Sequence, residues 1–187
     1  DIGCTSFFPT KPLGCYGDGG AVFTSDENLA NLIRQIARHG QTKRYYHARI
    51  GINSRLDTIQ AAILLPKLDI LNAEIDARNA LANEYTAVIS DRMRLVPPQI
   101  LQANRSAWAQ YTVRSSNRDN LRDQLSDLGI PSAIHYPMPL NKQPAVSDSS
   151  TDLEFGNQMS DEVLSLPMHA YMKPEMFVKI KSALDEI

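Results

Sequence analysis

Ser6-Phe7-Phe8-Pro9-Thr10-Lys11-Pro12-Leu13-Gly14, followed closely by Gly17-Asp18-Gly19-Gly20-Ala21-Val22-Phe23-Thr24, is the stretch on which the reading of this chain turns. A lysine held in a tight loop beside a strand can condense with an aldehyde, and a serine five positions earlier on the same loop can reach a phosphate. Together they point to a pyridoxal phosphate site, with Lys11 as the Schiff-base amine and Ser6 as a phosphate ligand. A lone lysine before a proline is most often a solvated surface residue, so the specificity lies in the whole string. Locally the pattern predicts a strand that ends in the lysine loop, a turn over residues 17–20 and a second strand over 21–24.

Moving outward, Ser25 or Asp26 can cap a helix whose Leu29, Leu32, Ile33 and Ile36 recur at helical spacing, with Gly40 as its stop. Residues 41–49 carry Lys43, Arg44, Tyr45, Tyr46, His47 and Arg49 and are too hydrophilic to pack, which predicts an exposed loop. Its cations could meet a nucleotide diphosphate or simply be solvated. A long helical pattern runs from near Leu56 to about Ile89, with Pro66 kinking or restarting it. Residues 59–65 are apolar almost all round, which predicts burial.

The character changes after Pro97-Pro98. Residues 111–114 predict a strand, 117–128 a helix capped by Asn117 and stopped by Gly129, and 133–136 another strand. Residues 147–152 form a short polar loop, 164–167 a short strand, and 174–187 a closing helix with Pro174 in its first turn. Strands alternating with helices indicate an α/β fold. The expected boundary near residues 90–98 gives a first part, 1–90, that ends in a long linking helix, and a small α/β domain over 91–187.

Length and composition set outer limits. The 187 residues allow one domain, or a larger piece joined to a small one. With 43% hydrophobic and 21% charged residues the composition is ordinary for a soluble globular protein. A net charge of -2 gives no electrostatic reason to expect nucleic acid or an anionic membrane as a partner. No apolar stretch approaches the roughly 20 residues that span a bilayer, and the N-terminus has no signal-peptide pattern, so a cytoplasmic protein is expected. Cys4 and Cys15 could be bridged, but reduced thiols are the favoured reading. Four histidines without close spacing make no metal site, and the glycines at 17–20 follow no strand-to-helix phosphate pattern.

Three further strings carry chemistry. In Gly51-Ile52-Asn53-Ser54-Arg55-Leu56-Asp57, the Asn53 amide suits a phosphate and the Arg55 fork suits a carboxylate or phosphate. The same segment also works as a helix entry, with Asn53 or Ser54 as N-cap. His135-Tyr136-Pro137-Met138-Pro139-Leu140 ends a predicted strand, so one of His135 and Tyr136 would face the core as a satisfied polar group. Leu164-Ser165-Leu166-Pro167-Met168-His169 reads as structural, and His39 as a helix-end residue favoured by the dipole.

Taken in order, these strings resemble the DegT/StrS family of sugar aminotransferases, and the resemblance covers nearly the whole chain. It implies the C-terminal part of a fold-type I aminotransferase: the end of the large domain, a long linking helix and a small C-terminal domain. Relatives with histidine in place of the lysine act as dehydratases, so Lys11 implies transamination, with pyridoxal 5'-phosphate as cofactor. The resemblance further implies a homodimer with shared active sites. Asn53 would contact the cofactor phosphate from the neighbouring subunit, Arg55 would lie near the substrate, and His135 and Tyr136 would edge its pocket. The family often has histidine where Asn141 stands, so no role carries over there.

From Ala37 to Ala62 and from His135 to Val146 the chain is most similar to enzymes that aminate the 3-keto group of a UDP-linked N-acetylated uronic acid. Those enzymes serve lipopolysaccharide O-antigen synthesis, and glutamate is the usual amino donor. The family's upstream half supplies the aspartate that pairs with the pyridine nitrogen and the group that stacks on the ring, and neither is found in this sequence. Two readings therefore stand: part of a sugar-nucleotide aminotransferase, or a non-catalytic fragment that serves only folding or assembly.

Overall fold

The computed structural model describes residues 1–90, 94–148, 150–151 and 153–187. They form two compact units, Asp1–Asn72 and Ala73–Ile187, and the division falls within one long helix. Residues 91–93 of the boundary expected near 90–98 lie outside the described residues, as do two positions of the polar loop expected at 147–152.

The first unit opens with an antiparallel pair, β1 (Gly3–Ser6) and β2 (Gly20–Phe23), in the register Gly3↔Phe23 to Ser6↔Gly20. The expected strand–loop–strand is therefore present, with the lysine loop between the strands. Helix α1 (Glu27–Ile36) is capped by Asp26, whose Oδ1 accepts from Asn28 N at 2.8 Å and Leu29 N at 3.1 Å. Of the two possible caps, the carboxylate is the one used, since it satisfies two amide donors that the first turn leaves unpaired. Beyond α1 the chain departs from expectation. Residues 41–49 hold an exposed hairpin, β3 (Gln41–Lys43) with β4 (Tyr46–His47), in place of an irregular loop. Backbone pairing is local and needs no buried side chain, and the Lys43 ammonium sits 4.0 Å from the centre of the Tyr46 ring.

Helix α2 (Thr58–Ser90) runs through Pro66 without a restart. Its apolar stretch is not buried as expected. Leu64 is 5% exposed, but Ile59 is 71% and Leu65 65% exposed. Apolar character all round a helix states what each face would gain from cover, and only the face carrying Gln60, Leu64 and Lys67 is covered within this unit.

The second unit contains the core. Strands β5 (Tyr111–Arg114) and β6 (Val163–Leu166) pair antiparallel, with Tyr111↔Leu166 and Arg114↔Val163 at the ends of the register. Helices α3 (Arg118–Asp127), α4 (Glu154–Glu162) and α5 (Pro174–Glu186) complete it. Gly129, at φ 69°, follows α3 in the left-handed conformation that the expected stop requires. Helix α4 was not expected, because its sequence is short and mostly polar. The strand expected at 133–136 reduces to one bridge, Ala133↔Ser165. Pro131 and Pro137 bracket it and offer no amide donors to prolong a ladder.

Tyr85, Tyr111, Val113, Leu125, Ile130, Leu164 and Ile180 are fully buried in this core. The Tyr85 ring stacks on Tyr111 with centroids 4.8 Å apart, and Phe177 meets it edge-on at 5.0 Å. Burial pushes the Tyr85 phenol well above its ordinary range, and neighbouring Tyr111 adds to the effect. The Tyr85 hydroxyl donates to Pro167 O at 2.8 Å, so its buried oxygen is satisfied.

Candidate active site

The lysine loop owes its shape to backbone bonds across its neck. Phe7 N–H donates to Gly19 O at 2.7 Å, Cys15 N–H to Phe7 O at 2.8 Å, and Lys11 N–H to Phe8 O at 2.9 Å. The buried Cys15 sulfur lies 3.1 Å from Phe7 O and 3.2 Å from Gly17 O, which makes it a packing group under the loop. Gly14 closes the turn so tightly that a Cβ would come within 2.7 Å of Phe8 O and 2.8 Å of Pro9 O. Any other residue there would push the lysine segment outward.

Helix α2 holds the loop from one face. Lys67 Nζ donates to Gly14 O at 2.6 Å, and Gln60 Nε2 donates to Tyr16 O at 3.0 Å. With Leu64 these residues recur at i, i+4 and i+7, so one helical stripe supplies both staples and the buried contact. Lys67 and Gln60 were missed in the sequence. Their signal is weak but present: two polar side chains at helical spacing in an otherwise apolar run.

The loop turns its chemistry outward. Lys11 is exposed, and among the described residues its ammonium has no hydrogen-bond or ion-pair partner. Ser6 is exposed as well; its Oγ accepts from Phe8 N at 3.2 Å, which leaves its own proton free to donate. An unpaired amine and a hydroxyl donor on one rigid turn fit an aldehyde that bears a phosphate, so these residues suit pyridoxal phosphate. Among the described residues, no group of three or more His, Cys, Asp or Glu side chains could hold a metal ion.

Asn53 and Arg55 are exposed on the segment between the hairpin and α2. That segment is tied to the end of α1: Ile52 N donates to Ile36 O at 2.8 Å, His39 N to Ile52 O at 3.0 Å, and Ser54 N to Ala37 O at 3.0 Å. Helix α2 starts only at Thr58, so neither Asn53 nor Ser54 serves as its N-cap. The capping alternative for Asn53 is thereby removed, and the exposed Asn53 and Arg55 side chains are left available to a ligand.

His135 and Tyr136 belong to the second unit. The His135 ring is half-buried, Tyr136 is 68% exposed, and their rings meet edge-on with centroids 5.5 Å apart. The His135 Nδ1 lies 3.1 Å from the Ser165 hydroxyl, which lies 2.9 Å from the Thr112 hydroxyl. His135 is thus the polar group satisfied from within, and Tyr136 faces solvent. Ser6 and Lys11 share one loop and Asn53 and Arg55 one segment of the first unit, while His135 and Tyr136 share a turn of the second.

The model of the DegT/DnrJ/EryC1/StrS aminotransferase family matches residues 1–185. The UDP-2-acetamido-2-deoxy-3-oxo-D-glucuronate aminotransferase of Pseudomonas aeruginosa is 54% identical over 98% of this chain and 51% of its own length. The structure of a DegT DnrJ EryC1 StrS aminotransferase from Brucella abortus superposes with a TM-score of 0.91 at 46% identity, over 99% of this chain and 50% of that one. That of ntda from Bacillus subtilis, with bound cofactor PMP, has a TM-score of 0.88 at 25% identity, over 100% of this chain and 45% of that one. The chain spans about half the length of the curated relatives it matches.

Proposed function

This chain belongs to the DegT/DnrJ/EryC1/StrS aminotransferase family, and from that premise we propose that it is part of an enzyme that moves an amino group onto a nucleotide-linked keto sugar. The observation that carries the reading is the exposed, unpaired Lys11 on a stapled loop, in a chain 54% identical to an enzyme named for a UDP-linked 3-oxo-glucuronate. The proposed cofactor is pyridoxal 5'-phosphate, the donor glutamate, and the product an amino sugar for lipopolysaccharide O-antigen or a related cell-surface polymer. The proposed setting is the cytoplasm; no described helix is long and apolar enough to cross a membrane. Residues 1–90 would complete the cofactor-binding domain and 91–187 would form the small domain.

Each residue then has a definite task. Lys11 Nζ would hold the cofactor covalently through its aldehyde and, once released, take the proton from the amino-bearing carbon and return it. Ser6 would donate its hydroxyl proton to the phosphate, joined by the Asn53 amide of a second copy of the chain. Arg55 would pair with a carboxylate or diphosphate of the sugar nucleotide, and His135 and Tyr136 would line the sugar's edge. When bound, the cofactor supplies an electron sink for the substrate carbon. The donor leaves as its keto acid, and the sugar's carbonyl becomes an amine.

The test uses the longer protein that carries this chain, supplied with glutamate and the UDP-linked 3-keto sugar, with the aminated product measured by mass spectrometry. Product formation is expected, and Lys11→Ala should lower it by at least ~10^3-fold. An unaffected rate in Lys11→Ala would overturn the reading. Mixed dimers of a Lys11→Ala copy and an Asn53→Ala copy should regain activity, because one of their two shared sites is intact. Verified mixed dimers without activity would contradict the shared site.

A further inference from the structure

We infer that Ser165, with Thr112 behind it, is a positioning residue that fixes His135 as an outward hydrogen-bond donor. The inference rests on the reading of His135 as a substrate-edge residue only where it names what that donor meets. Ser165 is 5% exposed and lies on β6 directly across from Thr112 on β5. Its backbone is locked as well: Ser165 N–H donates to Ala133 O at 2.7 Å and Ala133 N–H to Ser165 O at 3.1 Å, two residues before His135. Three polar groups from three segments thus stand in line, Thr112 Oγ1 to Ser165 Oγ at 2.9 Å and Ser165 Oγ to His135 Nδ1 at 3.1 Å.

The Ser165 hydroxyl is buried and has one proton, which it donates to one of its two neighbours, Thr112 Oγ1 or His135 Nδ1. Among the described residues, the Thr112 hydroxyl has no acceptor other than Ser165. In the direction we infer, the Thr112 proton points to Ser165 and the Ser165 proton to His135 Nδ1; the tautomer of His135 distinguishes this from the reverse. Nδ1 is the acceptor, and the neutral ring carries its proton on Nε2. Protonation of the ring adds a proton at Nδ1 and leaves Nε2–H in place. In both charge states the free edge of His135 is a donor and never an acceptor. Such a group recognises carboxylate, phosphate or carbonyl oxygens. His135 borders a groove of about 250 Å³ that Gln110 and Ser132 also line, beside the apolar Leu166, Pro167 and Met168. For the proposed sugar nucleotide, the matching groups are the uronate carboxylate and the diphosphate.

The molecule contains its own reference. His47 Nδ1 lies 2.8 Å from His39 O, a carbonyl that only accepts, so His47 must carry its proton on Nδ1. His135 and His47 are thus expected to be opposite tautomers. Long-range 1H–15N NMR of the uniformly labelled 187-residue chain, above the titration of the rings, reads this directly. The expected result is a fixed Nε2–H pattern for His135 and a fixed Nδ1–H pattern for His47. In Ser165→Ala, and in the nearly isosteric Thr112→Val should the first fail to fold, His135 should move toward the tautomer average of a free imidazole while His47 stays put. A His135 of the Nδ1–H form, or one unmoved by both substitutions, would overturn the proposal. In the longer enzyme, Ser165→Ala should raise KM for the sugar nucleotide about tenfold with little change in kcat, the scale of one oriented hydrogen bond. A shifted tautomer with an unshifted KM would uphold the relay and overturn the substrate contact of His135.

Discussion

The two units of this chain differ in where their order comes from. In the first, Cys15 and Leu64 are the only fully buried apolar residues among those described, whereas the second buries fifteen around the Tyr85, Trp108 and Tyr111 rings. The first unit leaves Val22 and Phe23 of β2 and the neighbouring Ile2 about half exposed, and Ile50, Ile52 and Ile59 more exposed still. Its loop is shaped by backbone bonds at the neck and by the Gln60 and Lys67 staples. A fully buried aliphatic or aromatic side chain contributes about 1.5–3 kcal/mol, while each ordered residue costs roughly 1–2 kcal/mol of backbone entropy. By that measure the second unit draws far more of its order from a buried core than the first. The chemistry-bearing loop therefore sits in the part of the chain with the least core.

The largest expected contrast is in amide exchange. In the 187-residue chain, amides of β5, β6 and α3 should exchange at least ~10^3-fold more slowly than those of β1–β2 and β3–β4, as measured by mass spectrometry. Equal protection in the two units would break the comparison. Next in size are paired substitutions. Leu125→Ala, at a fully buried position, should lower the unfolding free energy of the second unit by about 2–5 kcal/mol, because it leaves a cavity. Phe23→Ser, at a position 59% exposed on β2, should stay within about 0.5 kcal/mol by denaturant titration. A large effect of Phe23→Ser in this chain would mean that its face is covered after all.

A smaller effect sharpens the same contrast within the first unit. Lys67→Met keeps the aliphatic stem but removes the 2.6 Å bond to Gly14 O. It should speed exchange of the loop amides of Phe7, Lys11 and Cys15 by about tenfold, the scale of one charged hydrogen bond. The amides of the second unit should be unchanged. A loop indifferent to Lys67→Met would show that the neck bonds suffice without the staple.

Much of this was legible in the sequence, for reasons that differ by residue. The strand–loop–strand around Lys11 follows from glycine placement, α1 from apolar spacing and the Asp26 cap, α3 from the Gly129 stop although the Asn117 side chain expected to cap it makes no cap bond, and α5 from Pro174 in its first turn. These signals are local, and local signals survive whatever packs nearby. The burial expected for residues 59–65 failed because burial depends on neighbours and not on composition. The hairpin at Gln41–Lys43 and Tyr46–His47 was hidden by polar side chains that conceal a backbone pairing. The strand expected at 133–136 shrank to a bridge between two prolines. At the site, Lys11 and Ser6 stood out because their string is unusual. Ser165 did not, since a single serine in an apolar strand looks structural until its hydroxyl is seen between Thr112 and His135. Helix α4 gave no signal, being short, polar and without a side-chain cap.

The central claim is that Lys11 is the amine that holds the cofactor, and it can be tested without any sugar substrate. The longer protein would be loaded with pyridoxal phosphate, reduced with borohydride to fix the cofactor to its lysine, digested and mapped by mass spectrometry. The account predicts a single pyridoxyl label on the peptide carrying Lys11, present at about one per chain and absent in Lys11→Ala. A label on Lys67, on Lys43 or spread over several surface lysines, with Lys11 unmodified, would contradict it.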